Sequence, residues 1–263
     1  MKQRVIKDAV APVHREPHFE SEMITQALLG ETVHIHDRQR NWYNIEQLDG
    51  YRGWIHKFYT DEREYTSAYW QMVTARSSKI RISPQLDASV LLDVSMGSSL
   101  AIESWKTNSG QLWMQVRLPD QTLGWLPAQP KLFGLIREQI IQQSHRWLGA
   151  PYLWGGKTVF GCDCSGFIQT VFKSCGINIP RDTSDQYALL KDDSVSVEDS
   201  APGDLFFFRS SDEYAHIAIA VSGTRFIHAM GAVKTNDLSG ESAEYDSELA
   251  ANLVTGLNIR KLL

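Results

Sequence analysis

A tryptophan–glycine pattern occurs twice in the first half of the chain and constrains its fold more than any other feature. Trp42 precedes Gly53 by eleven residues, Trp113 precedes Gly124 by the same distance, and a second tryptophan follows each glycine. Between these points, short runs such as TVHIH and WMQVRL alternate apolar and polar residues, as half-buried strands do. Because matching tryptophans and glycines arise by chance less easily than matching apolar residues, we predict two related antiparallel β barrels.

This repeat resembles the bacterial SH3-like domains that often flank cell-wall enzymes. Two copies would cover roughly residues 1–60 and 65–130. The alternative is a pair of generic β modules with no such relationship. In both cases the four tryptophans are expected first of all to pack in the cores of the modules.

The second half of the chain, residues 131–263, has a different pattern. Three segments have apolar residues at helical spacing, namely LIREQIIQQSHRWLG, CSGFIQTVFKSCG and RDTSDQYALL. Four later runs are typical of strands, namely LFFF, HIAIAV, TRFIHAM and LVTGLNIRKL. Helices followed by strands indicate an α+β domain.

Composition excludes several classes of protein. The net charge of −5 is unfavourable for nucleic-acid binding, which usually needs a basic face. No run approaches the roughly 18 apolar residues of a membrane span. The chain has only three cysteines and no apolar segment typical of a signal peptide after its first basic residues, so we expect a cytoplasmic protein. A periplasmic or exported protein whose signal peptide had been removed would look the same.

Cys164 is the candidate nucleophile, because it lies where a glycine-rich loop meets the second predicted helix. The thiolate is the reactive form of cysteine, and both the positive end of a helix dipole and a nearby imidazolium favour it. In such a site the pKa of a thiol, about 8.5 when free, can fall by several units. The backbone N–H of Cys164, in the first helical turn, is also available to an oxyanion.

Two histidines in predicted strands of the same domain are candidates for the base. His216 lies in AHIAIAV and His228 in FIHAMG. If the strands are adjacent and antiparallel, one imidazole can contact Cys164 while the other holds the first in its working tautomer. Judged by spacing alone, the two histidines are equally well explained as structural residues of the core or of a sheet edge, with their hydrogen bonds satisfied. The chemistry needs no metal and no organic cofactor.

The second half as a whole resembles the NlpC/p60 family of cell-wall cysteine peptidases. The similarity covers most of residues 135–263 and rests on segments that occur in the family's order. These segments are LGAPYLWGG (148–156), DCSGF (163–167), IPRDT (179–183) with Gln186, PGDL (202–205), HIAI (216–219) and FIHA (226–229). The resemblance implies a papain-like fold, with Cys164 as nucleophile, His216 as base, His228 as third member and Tyr152 beside the thiol.

Two SH3-like modules before such a domain are similar to the γ-D-glutamyl-L-diamino-acid endopeptidases of murein peptide recycling. That resemblance implies that Asp163, Ser165 and Thr183 help to hold the free amino end of an L-Ala-γ-D-Glu unit. It also implies that the first module contributes an acidic residue and a tyrosine to the same pocket. Glu22 and Tyr51 are the candidates for these two positions.

The predicted function is therefore hydrolysis of the γ-D-Glu–diamino acid bond in released murein peptides that have a free N-terminal L-Ala. The diamino acid is either diaminopimelate or lysine. One alternative is a peptidoglycan hydrolase that acts on the intact wall, with the SH3-like modules as anchors. Another is a wall-binding protein without catalytic activity, against which the intact set of cysteine and two histidines argues.

Overall fold

The computed structural model describes residues 2–210 and 213–263. The chain divides into two compact units, Met1–Lys131 and Leu132–Leu263. Within the described ranges, no helix combines the length and apolar character that crossing a bilayer requires.

The described part of the first unit contains two antiparallel sheets. The first sheet consists of β1 (Lys2–Ile6), β2 (Val10–His14), β3 (Met23–Leu28), β4 (Thr32–Gln39), β5 (Trp42–Glu46), β6 (Arg52–His56) and β7 (Thr60–Asp61), in the spatial order β3-β2-β6-β5-β4-β1-β7. The second sheet consists of β8 (Trp70–Met72), β9 (Ser77–Arg81), β10 (Val90–Ser95), β11 (Ser99–Asn108), β12 (Gln111–Arg117) and β13 (Leu123–Pro127), in the order β10-β9-β13-β12-β11-β8. A short 3-10 helix, Lys57–Tyr59, precedes β7.

The tryptophan repeat occupies equivalent strand positions in the two sheets. Trp42 of β5 lies opposite His56 of β6, and Trp113 of β12 lies opposite Pro127 of β13. The partner therefore follows the tryptophan by the same number of residues in each hairpin. The two hairpins therefore share the same register at the repeated tryptophan, and the relationship of the two modules stays a prediction.

The repeated glycines allow a neighbouring strand to approach closely. A Cβ added at Gly53 would lie 2.6 Å from Cγ1 of Val13 in β2, and one at Gly124 would lie 2.3 Å from Cγ2 of Ile80 in β9. Real Cβ atoms do not come so close to other carbons, so each hairpin needs glycine where β2 or β9 crosses it.

The first unit contains an apolar core at each sheet, and Leu29, from the turn between β3 and β4, packs in the core of the second sheet. The first core contains Ile6, Ala11, Val13, Ala27, Val33, Tyr43, Ile45 and Ile55. The second contains Leu29, Val73, Ile80, Val94, Leu100, Ile102, Met114, Val116, Leu118 and Leu126. Trp42, Trp54 and Trp113 are buried, as predicted, whereas Trp125 is only half-buried.

The second unit combines helices with an antiparallel sheet. The helices of its described part are α1 (Ile136–His145), α2 (Cys164–Ser174), α3 (Thr183–Leu190) and α4 (Ser247–Asn252), with a 3-10 helix at Arg260–Leu262. A small hairpin is formed by β14 (Lys157–Thr158) and β15 (Gly161–Cys162). The larger sheet consists of β16 (Ser194–Val195), β17 (Leu205–Ser210), β18 (Glu213–Ser222), β19 (Arg225–Met230), β20 (Ala232–Asp237) and β21 (Leu253–Leu257), in the order β16-β21-β17-β18-β19-β20.

These elements confirm the predicted α+β class, with corrections at the element level. The first helix ends at His145 rather than Gly149, because Arg146 and Trp147 donate to carbonyls three residues back and tighten the chain into turns. Strand β20 and helix α4 were not predicted. The third predicted helix begins at Thr183, two residues later than its sequence segment.

Helix α2 is the element that positions the site. Ten of its eleven residues are buried, and it packs against α1, α3, β14, β18 and β19. A helix buried on nearly all sides lies in the centre of its domain, and the polar residues of α2, such as Gln169 and Thr170, have hydrogen-bond partners there. Its first residue, Cys164, is thereby held inside the unit, at the end of the helix that lies near the histidine-bearing strands.

Candidate active site

The start of α2 is organised by the carboxylate of Asp163. Asp163 is the N-cap residue, and its Oδ1 accepts a hydrogen bond from the backbone N–H of Gly166 at 2.7 Å. Its Oδ2 accepts one from Gly155 at 2.8 Å, which ties the glycine-rich loop to the helix. Arg181 donates to both oxygens, at 3.0 and 2.6 Å.

This ion pair is almost completely removed from solvent. Asp163 is 6% exposed and Arg181 is 2% exposed. The hydroxyl of Ser165 adds another donor to Oδ1 at 3.3 Å and itself accepts from Arg181 at 2.8 Å. Asp163 thus receives five hydrogen bonds. An ionised carboxylate has about four acceptor positions, so these bonds fill them. Asp163 therefore fixes the geometry around the nucleophile.

The Cys164 thiol is buried among polar groups. Its Sγ lies 3.9 Å from the hydroxyl oxygen of Thr183, and the backbone N–H groups of Ile217 and Ser165 also donate towards it. Burial nevertheless raises the pKa of the thiol to about 11, and the nearby charge of Asp163 adds to this effect. The lowered thiol pKa expected from the sequence is therefore wrong for the resting site, because burial outweighs these hydrogen bonds.

The imidazoles of His216 and His228 are in direct contact. Strands β18 and β19 pair antiparallel, which places the two rings at a centroid distance of 5.0 Å. Nε2 of His216 lies 2.7 Å from Nδ1 of His228, and Nε2 of His228 lies 2.9 Å from Oδ1 of Asn236. A continuous hydrogen-bonded chain thus leads from β20 through β19 to β18.

Both histidines are uncharged near neutral pH. Burial lowers the pKa of His216 to about 3, and the neighbouring His228 and Lys234 add to this shift. Burial also lowers the pKa of His228 to about 4, against the opposing effect of its hydrogen bond with Asn236. A neutral imidazole has one nitrogen free to accept a proton, so His216 is in the form that a general base requires.

Tyr152 places a phenol near Cys164 and Asp163. Its backbone is held on two sides, by the N–H that donates to Gly231 at 2.9 Å and by a bridge to Cys162. Burial raises the pKa of the phenol to about 12, and the charges of Cys164 and Asp163 contribute further. The hydroxyl therefore keeps its proton at neutral pH and can act as a donor.

The sequence and structure match known proteins over these same regions. Residues 149–248 match the model of the NlpC/P60 family, and residues 13–57 match that of the bacterial dipeptidyl-peptidase SH3 domain. A protein of Bacillus cereus named gamma-D-glutamyl-L-lysine dipeptidyl-peptidase is 30% identical over 237 residues, which cover 81% of this chain and 69% of that protein.

The chain belongs to the NlpC/P60 family.

Two further similarities agree with this membership. A Bacillus subtilis protein, also named gamma-D-glutamyl-L-lysine dipeptidyl-peptidase, is 28% identical over 240 residues, or 86% of this chain and 79% of that one. The crystal structure of an NlpC/P60 family protein from Bacillus cereus superimposes with a TM-score of 0.78, at 23% identity, over 97% of this chain and 99% of that one. This NlpC/P60 chain is thus a cysteine peptidase with an N-terminal bacterial SH3-like region, as the sequence predicted.

The structure brings most of the predicted site residues of the NlpC/P60 unit to one place. Cys164, Asp163 and Ser165 lie at the start of α2, and Thr183 begins α3 with its hydroxyl near the thiol. His216 and His228 form one contacting pair in the sheet, as predicted. The catalytic and substrate-binding roles assigned to these residues stay predictions.

Glu22 and Tyr51 belong to the SH3-like region, in the first unit. The carboxylate of Glu22 pairs with Arg15 at 2.7 Å, and the backbone of Tyr51 is held in a turn through Asp49 and Gln47. Their predicted part in substrate binding stays a prediction.

Two residues of the site were missed by the sequence reasoning. Arg181 lies in the IPRDT segment. As a cation it was a possible partner for the carboxylate of Asp163, and this was the available signal. Asn236 had no such signal, because it lies in a strand that the pattern of apolar residues did not reveal.

Proposed function

We propose that this chain is a cysteine endopeptidase that cleaves the γ-D-Glu–diamino acid bond of murein-derived peptides with a free N-terminal L-Ala, in cell-wall peptide recycling. The names of two relatives support this substrate class, and so does the match of residues 13–57 to a dipeptidyl-peptidase SH3 domain. A dipeptidyl-peptidase releases a dipeptide from a free amino end. The diamino acid would be lysine or diaminopimelate. The three free cysteines support a reducing compartment, the cytoplasm.

The observation that carries the proposal is the arrangement of Cys164 and the two histidines. Cys164 is the first residue of the buried helix α2. Its thiol accepts a hydrogen bond from the backbone N–H of Ile217, the residue next to His216. Nδ1 of His228 lies 2.7 Å from Nε2 of His216. A nucleophile, a base and a residue that orients the base constitute the machinery of acyl transfer.

In the proposed reaction, His216 takes the thiol proton as Cys164 Sγ attacks the side-chain carbonyl carbon of D-Glu. The new C–S bond forms a tetrahedral intermediate. Its collapse breaks the C–N bond, and the imidazolium of His216 returns the proton to the leaving amine. Water then attacks the thioester with His216 as base, which releases L-Ala-D-Glu and regenerates the thiol. The high pKa of the resting thiol makes this base assistance necessary, since little thiolate is present at neutral pH.

The negative charge of the intermediate falls on the former carbonyl oxygen. The backbone N–H of Cys164, at the start of α2, and the protonated hydroxyl of Tyr152 are the proposed donors to it. Loss of one donor of this kind typically lowers the rate roughly a hundredfold or more. Tyr152→Phe should therefore lower kcat without a matching rise in KM.

The proposed amine pocket contains hydroxyls and carboxylates. Thr183 and Ser165 offer hydroxyls, and Asp163 offers negative charge that is already shared with Arg181. Because the acceptor positions of Asp163 are occupied, the ammonium of the substrate needs a further anion. The candidates predicted for this role, Glu22 and Tyr51, belong to the first unit, where the carboxylate of Glu22 is paired with Arg15.

The experiment compares the hydrolysis of L-Ala-γ-D-Glu-L-Lys, its diaminopimelate counterpart, their N-acetylated forms and purified peptidoglycan. We expect rapid release of L-Ala-D-Glu from a free tripeptide and at least a hundredfold lower kcat/KM after acetylation. Cys164→Ala is the control for contaminating peptidases. Equal rates on free and acetylated peptides, or faster cleavage of intact peptidoglycan, would refute the free-amine specificity and favour a wall hydrolase. A protein that binds peptidoglycan but cleaves none of these substrates would be the non-catalytic alternative.

A further inference from the structure

Asn236 ends the hydrogen-bonded chain that begins at His216. Strands β19 and β20 pair antiparallel, with Phe226 opposite Asn236 and His228 opposite Lys234. Asn236 is therefore a diagonal neighbour of His228 on the same face of the sheet, close enough for side chains to meet. Its Oδ1 lies 2.9 Å from Nε2 of His228.

The orientation of the Asn236 amide is fixed from its other side. Its Nδ2 donates to the backbone carbonyl oxygen of Glu244 at 3.0 Å. A carbonyl oxygen can only accept, so the NH₂ group must face Glu244 and the amide oxygen must face His228. The side chain of Glu244 is held in turn by Thr235 and Arg225.

This orientation decides where the protons of both imidazoles lie. Because Asn236 presents an acceptor, Nε2 of His228 must carry a proton, and in the neutral ring Nδ1 is then bare. A bare Nδ1 accepts, so Nε2 of His216 must carry the proton between the two rings. The remaining nitrogen of His216, Nδ1, is then free to accept a proton.

We propose that Asn236 is a positioning residue that sets the tautomer of His228 and, through it, the tautomer of the base His216. The reverse arrangement places a proton on Nδ1 of His216 and leaves the bare Nε2 of His228 facing the oxygen of Asn236. In that state the base has no free nitrogen for the thiol proton. The inference rests on the proposed role of His216 as base, but the tautomers themselves can be observed without any substrate.

The direct test is nuclear magnetic resonance of the free enzyme labelled with ¹⁵N-histidine, in which two-bond ¹H–¹⁵N correlations distinguish protonated from bare ring nitrogens. Signals are assigned with His216→Gln and His228→Gln variants. We expect protonated Nε2 and bare Nδ1 in both rings. A proton on Nδ1 of His216 in the wild-type enzyme would overturn the proposal, whatever the enzyme hydrolyses.

Three variants separate this role from a contribution to stability. Asn236→Leu removes the acceptor and should lower kcat about tenfold at every pH, with KM nearly unchanged and mixed tautomers in the spectrum. Thr235→Val is the matched control, since Thr235 bonds the same Glu244 but no histidine. A Leu variant that keeps both the wild-type tautomers and the wild-type kcat would contradict the proposal.

Asn236→Asp keeps the acceptor towards His228, replaces the donor to the Glu244 carbonyl with a second oxygen and adds a negative charge. At pH 8 its kcat should stay within about threefold of wild type, because His228 still donates to an oxygen. The acid limb of its pH profile should move to higher pH, since the carboxylate raises the pKa of His228, which also experiences Lys234, Asp246 and His216. Once protonated, His228 donates from Nδ1 and reverses the chain. An Asp variant as impaired at pH 8 as the Leu variant would count against the proposal.

Discussion

Replacing Asp163 with alanine removes the carboxylate that begins α2 and pairs with a buried guanidinium. Loss of an N-cap side chain costs about 1 kcal/mol. Leaving one member of a buried ion pair without its partner costs a further 3–5 kcal/mol, roughly, and Arg181 is only 2% exposed. We therefore expect the free energy of unfolding of the second unit to fall by about 4 kcal/mol or more, a large share of the roughly 5–15 kcal/mol of a typical domain.

The cysteines allow this loss to be measured in the second unit alone. All three, Cys162, Cys164 and Cys175, are buried and lie in that unit. Pulsed alkylation during a urea titration, with each cysteine-containing peptide followed by mass spectrometry, therefore reports its unfolding without interference from the first unit. Cys162 and Cys175 serve as the readout, because Cys164 is the proposed nucleophile.

Two further variants complete the experiment. Asp192→Ala removes an exposed carboxylate of the same unit and should change the stability by less than about 0.5 kcal/mol. The double variant Asp163→Ala/Arg181→Met should be more stable than Asp163→Ala alone, because no buried charge is left unpaired. An Asp163→Ala protein within 1 kcal/mol of wild type, roughly, or a double variant less stable than the single one, would refute the reasoning.

Three other predictions follow from burial and packing. Burial raises the pKa of Cys164 to about 11, so the rate of its alkylation in the resting enzyme should still be rising above pH 9, and a plateau below pH 8 would contradict this. Burial lowers the pKa of His216 to about 3, whereas the pKa of histidine in the unfolded chain is about 6.5. The stability that neutral His216 contributes is therefore complete above about pH 6.5 and is lost as the pH falls towards 3. Urea midpoints from pH 7 to pH 4 should show this decline, and His216→Gln should reduce its slope; an unchanged slope would disprove the assignment. Gly53→Ala should destabilise the first unit by about 1–3 kcal/mol in thermal unfolding. Gly240→Ala, in the second unit, adds a Cβ that meets no atom within 4 Å and should leave the stability of its own unit unchanged. Equal losses of stability in the two variants would show that the close approach at Gly53 does not require glycine.

The sequence predicted those features that local patterns determine. The tryptophan–glycine repeat indicated two related β modules because each hairpin needs the same glycine at the same position. The loop-to-helix junction at Cys164 and the histidine strands were identified because each has its own composition. These elements recur in the structure with shifts of only a few residues at their ends.

The rest of the site depends on contacts between segments that are distant along the chain. Arg181 meets Asp163 across 18 residues, and Asn236 meets His228 through strand pairing. Strand β20, with the sequence AVKTND, has mostly half-buried residues and little alternation, so the pattern of apolar residues could not reveal it. The pKa of Cys164 was misjudged for the same reason, because burial in the folded unit is not visible in the residues next to it.

Trapping the covalent intermediate tests the proposed role of Cys164 most directly. The enzyme is mixed with L-Ala-γ-D-Glu-L-Lys, quenched in acid within milliseconds to seconds, digested and analysed by mass spectrometry. We expect a thioester-linked L-Ala-D-Glu unit on the peptide that contains Cys164, and neither adduct nor product with a folded Cys164→Ala protein. Continued release of L-Ala-D-Glu by that variant, or an acyl group on another residue, would contradict it.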